Sequence, residues 1–378
     1  MVGGPLRPDA ALKVVYVLSG TGLFGGVRVV LRHAALLRAL GVEAEVVSPE
    51  PPAAWAPESH AFYRQVPDLD PRKIGEADVA VGTIFFTVPV AAAVPGAVPF
   101  HFCQGYEGLY EPARPRWPEI EATYALPTRK LAVSPHLVEL IGARFGQTAR
   151  WIPQPFAAEE FGPAPRRRAG GPSFRVLLTG QWDVPVKGID WAFEALRPLA
   201  REIPGFTLVR LAQDAPAAEV EAWPDAERHV HLPPSEVPDV YRGVDLFVGA
   251  SSEVEGFGLP TLEAMGSGLP CVLTDIGAFR ALDPDERASV RVPHADTAAL
   301  REAVRRLARD DGARARLGRG GRALAEAFRP ERTAAALLAA FREALPAGRV
   351  PVAPASPAGG RGAAWLRRLF PGRTGSRG

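Results

Sequence analysis

Residues 13–40 read KVVYVL, then SGTGLFGG, then VRVVLRHAALLRAL. The first run is apolar at consecutive positions, as a strand covered on both faces requires. In the third, Val27, Val30, Leu31, Ala34, Leu37 and Leu40 recur at helical spacing, and Gly41 stops the pattern. A strand that leaves through a glycine loop into a helix has few options. It must rejoin a parallel sheet by a crossover, with helices covering both faces. The loop, Gly20-Thr21-Gly22-Leu23-Phe24-Gly25, has the G-x-G-x-x-G spacing that lets backbone amides approach a phosphate.

The alternation persists along the chain. In the first half, residues 44–47, 79–81, 100–102 and 131–133 read as strands. Ser134 is placed to cap a helix reaching residue 145, with Pro135 at its first position. The run IPQPFAAEEFGPAPRRRAGGPS, which begins at Ile152, cannot pack as a regular element and marks a boundary. Beyond it the pattern restarts, with strands at 175–179, 207–211, 246–250 and 271–274 and helices at 189–200 and 235–242. Residues 298–345 read as nearly all helix, punctuated near Gly312 and by Pro330. At 378 residues the chain also exceeds one comfortable core. We therefore predict an α/β chain of two doubly wound parallel-sheet domains, 1–155 and 174–329, joined by a linker at 156–173. Residues 330–345 are expected to cross back to the first domain, and 346–378 to form a basic tail without regular structure. Ligands of such a pair are expected at the carboxyl ends of the strands, in a cleft between the sheets.

Charge narrows the partners. The chain carries net +2, yet residues 346–378 hold six arginines and no acid, so the body sits near −4. That is no nucleic-acid footprint. In the tail, AAWLRRLF sets Trp365, Leu366, Leu369 and Phe370 beside Arg367 and Arg368. It suits an anionic membrane surface, with a solvated tail as the alternative. No stretch nears the ~20 apolar residues of a membrane span, and residues 14–18 are too short a core for a secretory leader. The chain is expected in the cytoplasm, at most peripheral at the inner face of the membrane. Cys103 and Cys271 sit in apolar runs and read as small buried hydrophobes.

The chemistry concentrates in SSEVEGFGLPTLEAMGSGLP, residues 251–270, which follows a strand. Gly256 and Gly258 permit a sharp turn, and Pro260 suits the first turn of the next helix. A helix N-terminus at a strand's carboxyl end is an anion site. Glu255 and Glu263 bracket it. Ionised carboxylates accept hydrogen bonds from vicinal hydroxyls, so phosphate on the amides and sugar hydroxyls on the acids together describe a sugar nucleotide. Lys187, in TGQWDVPVKGID, supplies a point charge for the diphosphate.

EGFGLPTLE, residues 255–263, resembles the E-x7-E motif of glycosyltransferase family 4, the retaining enzymes of GT-B fold with two Rossmann-like domains facing across a cleft. The following AMGSGLP, the opening GGVRVVLRHAALLRALG, the segment KLAVSPHLVEL and the loop TGQWDVPVKGID look like the family as well, so the resemblance spans roughly 12–345. It implies a cytoplasmic, metal-independent and cofactor-free transfer from a nucleotide-sugar to an acceptor hydroxyl on a glycan, a lipid-linked glycan or a small molecule. By the same resemblance Lys187 and Glu255 are catalytic, Glu255 touching donor-sugar hydroxyls and Lys187 the diphosphate. Glu263 would hold the ribose, and Gly180, Gln181, Gly256, Phe257, Gly258 and Leu259 would line the donor. Gly25 and Gly26 would approach the phosphate from the other domain. One departure stands out: Gln181 replaces an arginine often found there, and Arg28 is the candidate for the lost charge.

Other motifs compete. The opening glycine loop with Glu50 could serve a nicotinamide dinucleotide, giving an oxidoreductase, although Ser48-Pro49 separates that acid from the strand. A non-transferring relative, an epimerase or binding module, is the other alternative. Gln104 and Glu107, after the strand at 100–102, read as acceptor or sugar contacts, or as groups that satisfy their own loop. Asp68-Leu69-Asp70 reads as a solvated turn and not a metal site. His229 and His231 are expected on one face of a strand, in a structural role.

Overall fold

The computed structural model describes residues 12–162 and 173–345. They form two compact units, 12–155 with 330–345, and 156–162 with 173–329. The tail motif at 363–370 and most of the proline-rich linker lie outside the described residues.

The first unit is a seven-stranded sheet of β1 (Lys13–Val17), β2 (Glu43–Ser48), β3 (Tyr63–Gln65), β4 (Val79–Gly82), β5 (Val98–Cys103), β6 (Arg129–Ala132) and β7 (Ala149–Trp151). Its order is β3-β2-β1-β4-β5-β6-β7, parallel throughout. The second holds β8 (Phe174–Thr179), β9 (Phe206–Ala212), β10 (Glu227–Val230), β11 (Leu246–Gly249), β12 (Cys271–Thr274) and β13 (Ser289–Val292). Its order is β10-β9-β8-β11-β12-β13, again parallel. In each sheet the strand order reverses beside the first strand, between β1 and β4 and between β8 and β11. Loops leaving the carboxyl ends there splay apart and leave room for a ligand.

Sequence explains the layers. VAVG of β4 and VPFHFC of β5 are buried at each position, since helices cover both faces. Helix Gly25–Ala39 turns Val29, Val30, Leu31, Ala34 and Leu37 inward. Helix Pro330–Ala344 packs beside it, with Phe341 edge-on to Phe100 at 5.0 Å and Thr333 Oγ1 donating to Pro153 O at 2.9 Å. Each of the buried valines, leucines and phenylalanines among these contributes about 1.5–3 kcal/mol through burial.

The structure departs from the sequence reading in several places. The helix expected over 189–200 breaks before Pro198 into Ile189–Leu196 and Leu199–Glu202. The break expected near Gly312 is present, at Asp310, whose carboxylate accepts the Ala313 N–H at 2.8 Å and caps the next helix. Ser134 precedes helix Pro135–Phe145 as expected, but its hydroxyl lies 2.8 Å from His136 Nδ1 and does not cap. The start of the linker is packed, since Phe156 and Phe161 are buried in the second unit and Phe161 meets Tyr241 edge-on at 5.6 Å. His229 and His231 do not share a strand face. His231 lies past β10 at φ 54, while His229 meets Glu227 at 2.8 Å. Asp68 is exposed and Asp70 half-buried, bound to Lys73 and Arg72 respectively.

Candidate donor site and glycine loop

In the second unit the loops after β8 and β11 meet at the reversal of strand order. Ser252 N–H donates to Val186 O at 2.9 Å and stitches the two loops together. The loop after β11 turns at Gly258, with φ 85, directly into helix Leu259–Gly266. A side chain there would be strained, and its Cβ would lie 2.6 Å from the Phe279 ring. Phe257 is buried, edge-on to Phe328 at 5.5 Å, so its backbone is anchored from beneath. Gly256 and Phe257 thus lead into the helix with Leu259 at its first position.

The head of this helix is occupied by a carboxylate from the chain itself. Lys187 Nζ, delivered by the turn Pro185–Lys187, donates to Glu255 Oε2 at 2.6 Å. Ser251 Oγ donates to the same oxygen at 3.0 Å, and the Gly258 N–H reaches the carboxylate too. Burial pushes the Glu255 carboxyl up, but the Lys187 ammonium and the hydrogen bonds from Lys187, Ser251 and Gly258 outweigh it and hold it below the usual carboxylate range. The pair is partly solvated, with Lys187 30% and Glu255 14% exposed. Lys187 also lies along Gly180, whose φ is 120; a Cβ at that position would be 2.8 Å from Lys187 Cγ. Gln181 follows, half-buried. Glu263 is buried on the helix and accepts from the Tyr241 hydroxyl at 2.9 Å.

The first unit holds the glycine loop and the residues after β5. Gly25 and Gly26 open helix Gly25–Ala39, with Phe24 at the cap position. Gln104 folds onto this point: a Cβ at Gly26 would be 2.8 Å from Gln104 Oε1. Gln104 Nε2 also reaches Thr83 O at 3.4 Å, so the loops after β1, β4 and β5 converge. The 50s loop clamps the glycine loop. Glu50 Oε2 accepts the Thr21 N–H at 3.0 Å, and Trp55 Nε1 donates to Thr21 O at 2.9 Å. Glu50 is thereby turned to the loop's own backbone, holding the glycine loop in place. Glu107 is engaged as well. Its Oε1 accepts Phe85 N–H at 3.4 Å, and Tyr124 Oη lies 2.8 Å from its Oε2 and 2.6 Å from Gly105 O. Burial raises this carboxyl above its ordinary range, against hydrogen bonds from its own amide, Tyr124 and Phe85. One phenolic hydrogen cannot serve both acceptors, and a proton on Glu107 would let each be satisfied.

The structure thus brings Lys187, Glu255, Gly180 and Gly258 together in one unit, and Gly26 with Gln104 in the other. Sequence reasoning missed Ser251, Tyr241 and Trp55, whose partners are distant in the chain or local to a turn. Among the described residues no cluster of three or more His, Cys, Asp or Glu is placed to hold a metal, and no helix is long and apolar enough to cross a membrane.

The class comes first from the fold. The HepE protein of Anabaena, solved in complex with UDP and glucose, superposes with a TM-score of 0.75 at 14% identity over 88% of this chain and 100% of that one. A sucrose-phosphate synthase from Thermosynechococcus elongatus superposes with a TM-score of 0.73 at 18% identity over 89% and 100%. The chain has the GT-B α/β fold, built of two Rossmann-like units. More particular likeness lies in the sequence. Residues 173–310, most of the second unit, match the family model described as Glycosyl transferases group 1. A D-inositol 3-phosphate glycosyltransferase from Saccharomonospora viridis is 33% identical over 214 residues, 50% of this chain and 49% of that protein. The chain spans about half the length of the curated relatives it matches.

Proposed function

We propose that this chain is a glycosyltransferase that moves a sugar from a nucleoside-diphosphate donor to an acceptor hydroxyl, with retention at the anomeric carbon. The observation that carries this reading is the Lys187–Glu255 contact at 2.6 Å, set at the N-terminus of helix Leu259–Gly266. It joins a cation, a hydroxyl-binding acid and helix amides at one strand reversal, which is what a sugar diphosphate demands. The match of residues 173–310 to a glycosyltransferase model supports it.

In this reading the donor diphosphate takes over Lys187 and the helix amides, and Glu255 turns to the sugar hydroxyls. Charge that builds on the departing diphosphate is stabilised by Lys187 and the helix end, and a phosphate oxygen accepts the acceptor's proton on the same face. Glu263 would share its carboxylate between Tyr241 and the ribose. Gln104, resting on Gly26, belongs to the sugar or acceptor side, and Glu107 supports that loop. No divalent cation is required, so EDTA leaves turnover unchanged.

The test is a nucleotide panel by thermal shift, followed by turnover. Stabilisation by UDP, GDP, ADP or dTDP is expected, and stabilisation by NAD alone would overturn the reading. Lys187→Ala and Glu255→Ala should each slow turnover by roughly 10²–10³, the scale for a lost preorganised charge contact. Near-native rates in both would remove these residues from the site.

A further inference from the structure

Arg210 lies in the middle of TLVRLA in β9, where an apolar residue belongs, and its side chain is 1% exposed. A guanidinium is seldom so deeply buried unless paired. Its Nε and Nη2 donate to Glu219 Oε1 and Oε2 at 2.9 and 3.2 Å, a two-pronged pair with the equally buried acid of helix Ala217–Ala222. The remaining donors are aimed at the neighbouring strand. Nη1 reaches Leu178 O at 2.6 Å and Nη2 reaches Gly180 O at 2.6 Å. The guanidinium faces the Phe193 ring, 5.7 Å from its centroid.

Stability alone is a weak reason for this arrangement. A buried ion pair loses much of its attraction to desolvation, and apolar residues of similar volume often serve as well. What apolar residues cannot do is hold two carbonyls at the carboxyl end of β8. Gly180, at φ 120, is the residue along which the Lys187 stem lies. Fixing its carbonyl fixes the surface that directs Lys187 toward Glu255.

We propose that Arg210, held by Glu219, is a positioning residue for the donor diphosphate: it acts through Gly180 on Lys187 and never touches the ligand. This rests on the donor-site reading above. The path runs from Glu219 to Arg210, to the Gly180 carbonyl, to the Lys187 stem and to its ammonium. A one-ångström error in a charge contact is enough to lose much of its value.

The experiment compares nucleoside diphosphates with monophosphates (UDP against UMP, GDP against GMP, ADP against AMP) by calorimetry on the full chain. The variants are Arg210→Met with Glu219→Leu, which removes both charges together, and Arg210→Lys, which keeps the pair but cannot hold both carbonyls. Circular dichroism and melting establish that each is folded, and the lysine variant carries the test should the double variant not fold. We expect diphosphate affinity to fall about tenfold, with monophosphate affinity within twofold of wild type, since only the former depends on Lys187 placement. A folded variant that retains the full diphosphate preference overturns the positioning role alone. A wild-type chain with no diphosphate preference for any base overturns the donor site, and this role with it.

Discussion

Replacing Lys187 by Met removes the cation from Glu255 and keeps the stem that covers Gly180. At 2.6 Å and an effective dielectric of 20, the gross attraction is roughly 6 kcal/mol. Desolvation offsets most of it. A charge-assisted hydrogen bond nets about 1.5–3 kcal/mol, and the 30% exposure of Lys187 moves the expectation to about 1–2 kcal/mol. A double-mutant cycle of Lys187→Met and Glu255→Gln, read by urea unfolding at pH 7, should return that coupling. The pH dependence follows from the lowered Glu255 carboxyl. A depressed acid stabilises the fold above its unfolded value and loses that contribution as pH falls through its folded value. The deficit of Lys187→Met should therefore shrink on acidification, as the carboxylate that needed the cation becomes protonated in both proteins. A coupling below about 0.3 kcal/mol, or a deficit constant with pH, would refute the reasoning.

Two further outcomes concern stability. His33 is fully buried among Tyr16 and Phe102, and burial lowers it from 6.5 to about 3, so the unfolded chain binds the extra proton between those values. Stability is complete above about pH 6.5 and falls by about 1.4 kcal/mol per pH unit below it for this histidine, so His33→Leu should flatten the acid limb of a pH–melting curve. At Gly266 a Cβ would stand 2.0 Å from Phe156 Cζ, so Gly266→Val should cost about 1–3 kcal/mol by overpacking, measured by urea unfolding; an unchanged midpoint would place Phe156 elsewhere.

The centre of each sheet was legible because parallel strands under two helical layers are written as unbroken apolar runs, as in VAVG and CVLT. The edges were not. YRQ, ARW, ERHV and SVRV are the outermost strands of the two sheets, where one side meets solvent and charge is tolerated. Three of them carry no apolar run to mark a strand, and β10 is marked only by its histidines. Within the candidate site, Glu255, Gly258 and Glu263 were readable from local spacing. The engagement of Lys187 with Glu255, of Glu50 with Thr21 and of Arg210 with Gly180 was not, since each joins segments about 30 to 70 residues apart. Arg210 did carry a signal, a lone charge in an apolar strand, whose partner only the fold could supply.

Because Glu255 is tethered beside Lys187, any incoming anion meets a resident rival of unit charge at high local concentration. On the donor-site reading proposed above, chloride or acetate would offer nothing the resident lacks. On the same reading a pyrophosphate, with more charge spread over several oxygens, would displace it and in the same stroke release an acid for new work. So read, the pairing would set an entry threshold at the helix head, graded by the valence of the visitor.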